Sequence, residues 1–363
     1  MAATPGLNFR EHLIADDLKA AYQVVVVDLN KDGRPDLIGL ASGMTELVWF
    51  ENPGWQRHVI ARGISGPINV AYWDDGAPML VLATGFSMDP AKSAGIVSVL
   101  RPGKDPRELW DIQEIDRLPA SHRIRFADID GSGKKVAINA PLAGAHAAPP
   151  DYRDKLTLVY YRPGAWKREL ITDELEGVLH GIFITDWDGD GREEILTASF
   201  QGIHLFKYGK DGRWSRTQIA AGNPGPWPKG GSSEIAVGKL GKARFLCALE
   251  PWHGNEVVVY REGAKGWERS VIDSTLDGSH ALVAADLNGD GLDEIVAGYR
   301  GASGKTYIYS ADTLDGTRWT RHSLDDTMPA AACAVADLNG DGRSDVACIG
   351  GSSLKWYENL GGR

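Results

Sequence analysis

Four times this chain closes an apolar, strand-like run with an acidic nine-residue loop: DLNKDGRPD from Asp28, DWDGDGREE from Asp186, DLNGDGLDE from Asp286 and DLNGDGRSD from Asp337. Alternate residues of a tight turn point inward, and a hard dication takes oxygen ligands in a cage of about seven. The loops therefore predict calcium ligated by Asp28, Asn30, Asp32, the Arg34 carbonyl and Asp36 in the first copy. The other three sets are Asp186, Asp188, Asp190, Arg192 (carbonyl) and Glu194; Asp286, Asn288, Asp290, Leu292 (carbonyl) and Glu294; and Asp337, Asn339, Asp341, Arg343 (carbonyl) and Asp345. Gly33 and its equivalents occupy the sixth position, where the chain turns too sharply for a Cβ. Runs such as VVVV before the loop and LIGL after it make these β-hairpin loops rather than helix-flanked ones. Each is expected to hold one structural calcium, about four in all.

A second element recurs at fixed phase, an aromatic residue, a polar pair and a short apolar strand: WQRHVI from Trp55, WDIQEI from Trp110, WKRELI from Trp166, WSRTQI from Trp214, WERSVI from Trp267 and WTRHSL from Trp319. A seventh copy, FREHLI from Phe9, precedes the first loop, and the last repeat stops at LKWYENLGGR without one. Spacing of roughly 45 to 55 residues with about four short strands is that of β-propeller blades. The chain is predicted to be all-β, a seven-bladed β-propeller in one domain, closed by the N-terminal strand (about residues 8–15) completing the last blade. Blades are expected to start near residues 22, 66, 122, 180, 232, 280 and 331. Blades 2 and 5 have lost the loop, at WDDGAPM and GKLGKARF, and blade 3 keeps only Asp128, Asp130 and Ser132.

The composition, 43% hydrophobic and 24% charged, fits a globular chain with a large core. A net charge of -10 argues against nucleic-acid binding, and no apolar run is long enough for a membrane partner. Cys247, Cys333 and Cys348 lie in strand-like runs and read as small core residues rather than a disulfide. The start MAATPGLNF has no apolar signal core; the compartment and the oligomeric state stay open.

In a propeller blade the inner strand starts on one face and its loop emerges on the other. Counting six residues back from each loop gives Tyr22, His122, His180, His280 and Ala331. Turns between second and third strands, expected on that same face, carry His146, Phe200, Gln201, Glu250, Trp252, His253, Tyr299 and Arg300. His122, His180, His253 and His280 are the candidate bases or ligands of a second divalent metal (zinc, manganese or magnesium), Tyr299 and Arg300 the candidate stabilisers of developing charge. Trp252, Glu250, Tyr22, Gln201 and His146 are the candidate sugar contacts. His12, His58, His204 and His322 are read as structural residues on outer strands. No nucleophile elbow, phosphate loop or dinucleotide fingerprint is present.

The loop-and-blade pattern resembles the FG-GAP and VCBS family of calcium-binding propellers, which host adhesion, sugar-binding and lyase functions. The stretches LHGIFITDWDGDG, ALEPWHGNEVVVY and SHALVAADLNGDGLDEIVAGYRG are similar to the propeller portion of the aldos-2-ulose (1,5-anhydro-D-fructose) dehydratase family. That resemblance implies metal-assisted β-elimination of water from a keto-sugar, such as 1,5-anhydro-D-fructose or a 3-keto-glycoside. It places His180, His253, His280, Tyr299 and Arg300 in the pocket, with His122 added by position; of the histidines, His180 is our favoured base. This chain ends after the propeller, without the family's cupin-like domains, so the resemblance extends to the dehydration and not to an isomerase step. Two alternatives stand beside it: a non-enzymatic propeller binding glycan or protein, and a uronate polysaccharide lyase using Arg123, Arg125 and Arg300.

Overall fold

A computed structural model describes residues 6–301 and 303–362. The chain is a seven-bladed β-propeller of seven four-stranded antiparallel sheets, and one 3-10 turn, Pro90–Lys92, is the only helix among the described residues. Inner strands are Ala21–Val27, Asn69–Asp74, Ser121–Ala127, Leu179–Thr185, Glu234–Leu240, Ser279–Ala285 and Ala332–Ala336 for blades 1 to 7. Each blade is a meander from its inner strand outward, except that the outer strand of blade 7 is Phe9–Ala15, paired with Ser353–Asn359. The N-terminal closure expected from the missing last aromatic motif is thus observed, and it leaves blade 7 with no exposed third-strand edge.

Contacts divide the chain into two compact units: Met1–Ile60, Ala236–Leu249 and His253–Arg363; and Ala61–Ile235 with Glu250–Trp252. In the first, apolar residues of blades 7 and 1 form one core, including Leu18, Leu37, Val48, Phe50, Ala347 and Ile349. In the second, blades 3 and 4 share a core of Ile138, Leu158, Tyr160, Ile182, Ile195 and Phe206. Second strands such as Asp36–Ala41 and Glu194–Ser199 are buried along their whole length. Sheets covered on both faces have no solvent side to alternate toward, which explains the near-continuous apolar runs of the sequence.

Two polar joints recur between blades. At the end of the third strand of blades 1 and 7, Asn52 and Asn359 donate their backbone N–H to Asp36 and Asp345. Their side-chain amides donate to the Leu338 and Leu287 carbonyls in the loop of the preceding blade. In the second joint, an aspartate ending one blade's outer strand accepts the hydroxyl of a tyrosine on the next blade's third strand: Asp116 from Tyr161, Asp273 from Tyr309, and Asp325 from Tyr357. Arg168, Arg321 and Lys355 supply the matching cations.

Two expectations are corrected. Cys333 and Cys348 are directly opposed across the first hairpin of blade 7 and form a disulfide, with Cα atoms 4.1 Å apart, whereas Cys247 is buried and free. The antiparallel register brings the two thiols together, which apolar surroundings alone did not reveal. His204 lies on the third strand of blade 4, Gly202–Tyr208, not on an outer strand; burial, then Arg216, pushes its pKa down to about 4, so it packs as neutral imidazole.

Burial opposes ionisation of Asp325, but bonds from Tyr357, Thr327 and Lys355 carry its pKa down to about 2. A carboxylate depressed in the folded state adds stability that is full above its unfolded value and is lost as pH falls toward the folded one. Tyr357→Phe should therefore lower unfolding stability by about 1.5–3 kcal/mol at neutral pH, the range for a hydrogen bond to a charged group. The difference should shrink below about pH 4 in urea melts.

Candidate functional site

The residues found by counting back from the loops share a backbone device. Tyr22, His122, His180 and His280 are each the second residue of an inner strand, and each falls at a break in register: Ala21 pairs Ala41 but Gln23 pairs Leu40, and likewise around the other three. Each is the extra, unpaired residue of a β-bulge, which re-aims one side chain. Ala331, the fifth position, precedes a blade-7 strand whose pairs run in step from Ala332 to Ala336. The loops lie at the other end of the same strands, about 20 Å away at roughly 3.3 Å per residue.

In the unit containing blades 2 to 4, the bulges of blades 3 and 4 put His122 and His180 side by side, ring centroids 5.0 Å apart, both buried. Arg123, itself 4% exposed, directs one guanidinium nitrogen at His122 Nε2 (3.1 Å) and another at His180 Nε2 (3.4 Å). A guanidinium only donates, so both Nε2 atoms are acceptors and both rings are neutral with the proton on Nδ1. His180 Nδ1 faces Ser233 Oγ at 3.3 Å and Glu234 Oε2 at 3.5 Å, and that same oxygen lies 3.2 Å from Arg123. Burial raises the Glu234 pKa, with the Arg123 and Arg125 charges opposing. Arg125 is held by Asn69 Oδ1 and the Ile124 carbonyl. Phe86 packs on His122 at 5.2 Å.

Trp252 stands in this unit too, but against Tyr152 (5.4 Å) and Phe200 (5.7 Å), in an aromatic cluster with Trp227. It is half-buried by protein rings rather than standing alone as a platform. Gln201 is turned to its own blade and the one before, its side-chain oxygen accepting from Glu176 N–H and its carbonyl from Gln218. His146 is exposed, its backbone N–H on Asp154. Glu250 is fully buried at the end of its strand.

The other unit holds Tyr22, His253, His280 and Arg300. His280 Nδ1 donates to the Ala331 carbonyl, which leaves Nε2 as the lone-pair nitrogen. Its ring is 5.2 Å from Tyr22, edge-on, and 5.6 Å from His253. His253 has φ +48°, a left-handed conformation that a branched or bulky side chain adopts at a cost of roughly 1 kcal/mol or more. Arg300 donates to His253 Nε2 at 3.3 Å and lies 6.0 Å over the Tyr22 ring. Tyr299 is buried and spends its hydroxyl proton on the Ser303 carbonyl, so it is less suited to stabilising an enolate than Arg300.

In the acidic loops the first aspartate pinches the turn by accepting from the fifth and sixth N–H groups: Asp32 and Gly33 on Asp28, Asp190 and Gly191 on Asp186, Asp341 and Gly342 on Asp337. Asp128 does the same in blade 3, so the turn forms without a ninth-position acid. Where that acid is present it is buried and accepts the second residue's N–H, as Asp36, Glu194, Glu294 and Asp345 do from Leu29, Trp187, Leu287 and Leu338. Burial pushes Asp36 up to about 6 and Glu294 up to about 7, against those N–H bonds. Oxygens of Asp186, Asp188 and Glu194 lie within 4.8 Å of one another, which fits a cation. In that loop, however, Lys207 Nζ already sits on Asp188, on Asp190 at 2.9 Å and near Glu194 at 3.4 Å.

Residues 94–263 match the model of the aldos-2-ulose dehydratase β-propeller domain, and residues 286–348 match an FG-GAP-like repeat. Aldos-2-ulose dehydratase of Phanerodontia chrysosporium is 26% identical over 311 residues, 76% of this chain and 34% of that enzyme. The chain thus spans about a third of the length of the curated relative it matches. It is a propeller with an FG-GAP-like repeat, similar to the propeller domain of a dehydratase. His122, Arg123, His180 and Glu234 all lie inside the 94–263 match.

In the sequence Arg123 stands out only for the uronate alternative, and Glu234 does not stand out at all. The signal that finds Glu234 is spatial, because it starts a blade 111 positions from Arg123. Arg123→Leu should leave Glu234 a buried, unpaired carboxylate and cost about 3–5 kcal/mol in a urea melt at pH 7. A loss under about 1 kcal/mol would mean that the pair is not formed.

Proposed function

We propose that this chain is a hydro-lyase that removes water from a keto-sugar of the 1,5-anhydro-D-fructose or 3-keto-glycoside type. The observation that carries the reading is the pair of bulge-borne neutral imidazoles around a buried guanidinium, within the stretch similar to a dehydratase propeller. His180 takes the proton from the carbon next to the ketone through Nε2, once substrate displaces the Arg123 contact. The C–H electron pair becomes the C=C of the enolate and then of the enone as the neighbouring C–O bond breaks. The hydroxyl leaves as water, taking the proton that His180 abstracted and returning the ring to its neutral form. Arg123, released from Nε2 and still paired to Glu234, faces the developing enolate charge, and a donor pre-aimed at developing charge in a dry site is worth several kcal/mol.

The lone-pair nitrogen of His280 and the neighbouring His253 are where a second divalent metal, zinc, manganese or magnesium, would be held. Bound there, such an ion supplies Lewis acidity toward a carbonyl oxygen. Calcium is proposed as a structural ion in the loops of blades 1, 6 and 7. In blade 4 the Lys207 ammonium must first move away from Asp188 and Asp190. Uronate lyase chemistry needs a cation to neutralise a carboxylate, and the charge of Arg123 is already met by Glu234, which favours the neutral keto-sugar.

Incubation of metal-loaded protein with 1,5-anhydro-D-fructose or a 3-keto-glycoside should produce the ultraviolet absorbance of an enone. His180→Ala should lower that rate by about 10²-fold or more, the scale for a general base. Absence of the absorbance with both substrates would sink the enzyme reading and leave the binding propeller. For the loops, Asp28→Ala and Asp337→Ala should each remove one calcium by elemental analysis and lower the melting temperature in calcium, with enone formation retained.

A further inference from the structure

The acidic loop of blade 4 differs from its sisters in charge and in what stands over it. Blades 1, 6 and 7 carry asparagine at the third loop position, Asn30, Asn288 and Asn339, whereas blade 4 carries Asp188 there and so has one carboxylate more. The asparagine amides donate to the fifth-position aspartate, Asn30 to Asp32 at 3.3 Å, Asn288 to Asp290 at 3.1 Å and Asn339 to Asp341 at 3.0 Å. Asn288 also reaches Glu294 at 3.0 Å. An ionised aspartate has no such donor to give. Lys207 supplies it instead: its Nζ sits on Asp188, 2.9 Å from Asp190 and 3.4 Å from the buried Glu194. The strand register puts it there. Third-strand aromatics pair with the residue that follows the ninth loop position, Phe50 with Leu37, Phe206 with Ile195, Tyr309 with Ile295 and Tyr357 with Val346. The residue after each aromatic is Glu51, Lys207, Ser310 and Glu358 for blades 1, 4, 6 and 7. Blade 3, which has Val136 in place of the ninth-position acid, carries Arg162 there, 3.8 Å from Asp130.

Two cations cannot share one cage. Calcium draws its oxygen ligands to about 2.3–2.6 Å, and an ammonium already set among Asp188, Asp190 and Glu194 would face the ion as a like charge at close range. The lysine is also delivered by its own strand, Gly202–Tyr208, so it does not lose the translational freedom that a free ion gives up on binding. We propose that Lys207 is the resident cation of blade 4: it closes the Asp188, Asp190 and Glu194 cluster in place of calcium, and the residue at this one third-strand position sets which acidic loops take the ion. Glu51, Ser310 and Glu358 leave the loops of blades 1, 6 and 7 to calcium. The loop that follows the strand bearing His180, Leu179–Thr185, is held closed at any calcium concentration. This division of the loops rests on the proposal that blades 1, 6 and 7 hold calcium.

Elemental analysis of the full chain, equilibrated with calcium and then freed of unbound ion, counts the filled loops directly. The wild-type protein should hold about three calcium ions per chain and Lys207→Met about four. Asp186→Ala should leave the wild-type count unchanged, and in the Lys207→Met background it should return the count to that of the wild type. In EDTA, Lys207→Met should melt below the wild type, and added calcium should raise its melting temperature by more than it raises that of the wild type. A wild-type count of about four that drops by one in Asp186→Ala, or a folded Lys207→Met protein that binds no more calcium than a calcium-binding wild type, would overturn the proposal. If neither protein binds calcium but Lys207→Met still melts lower in EDTA, Lys207 stands as the internal cation of its loop and the calcium reading alone is removed. No binding and no difference in melting would remove both.

Discussion

A carboxylate taken out of water must be met by donors or cations, or its burial costs several kcal/mol. This chain repeats that constraint at its joints. Asp36 and Asp345 are fully buried and spend both oxygens on backbone N–H groups, tying an acidic loop to the end of a third strand. Asp116, Asp273 and Asp325 each take a tyrosine hydroxyl and a cationic side chain, tying one blade's outer strand to the next blade's third strand. Glu234 is the member of the series whose partners are an arginine and an imidazole instead. A buried carboxylate with such partners can respond to a proton arriving on the ring, whereas one braced by backbone amides cannot.

The acidic loops accordingly have two parts with different physics. The first six residues make a turn that the aspartate at position one closes through backbone N–H groups, and blade 3 folds that turn without the ninth-position acid. The ninth residue is a structural brace. Its raised pKa in Asp36 and Glu294 reports an anion held at a cost, and a nearby cation lowers that cost. In blade 4 the cation is one of the chain's own, Lys207, whose Nζ lies 3.4 Å from Glu194.

Much of the fold was legible because it is periodic. Four loops and seven aromatic strand motifs set the blade phase, and the surplus motif at Phe9 set the closure that the pairing of Phe9–Ala15 with Ser353–Asn359 displays. The same phase located Tyr22, His122, His180 and His280, which prove to be the bulged residues of their strands. What stayed illegible depends on register and on distance along the chain. The Cys333–Cys348 bond needs the pairing of Val335 with Val346 to be known. Trp252 looked like a sugar platform because its neighbours Tyr152 and Phe200 lie about 100 and 52 positions away. Glu234 has no motif of its own, and its meaning comes from Arg123 and His180.

His180 is proposed as the group that removes a proton from the carbon beside a ketone. The most direct measurement is proton NMR of 1,5-anhydro-D-fructose in heavy water, following loss of that C–H signal, which records abstraction whether exchange or elimination follows. Rapid loss is expected with the wild-type protein and a rate near the protein-free background with His180→Ala, while Asp28→Ala remains active. Equal rates for wild type and His180→Ala would contradict that role.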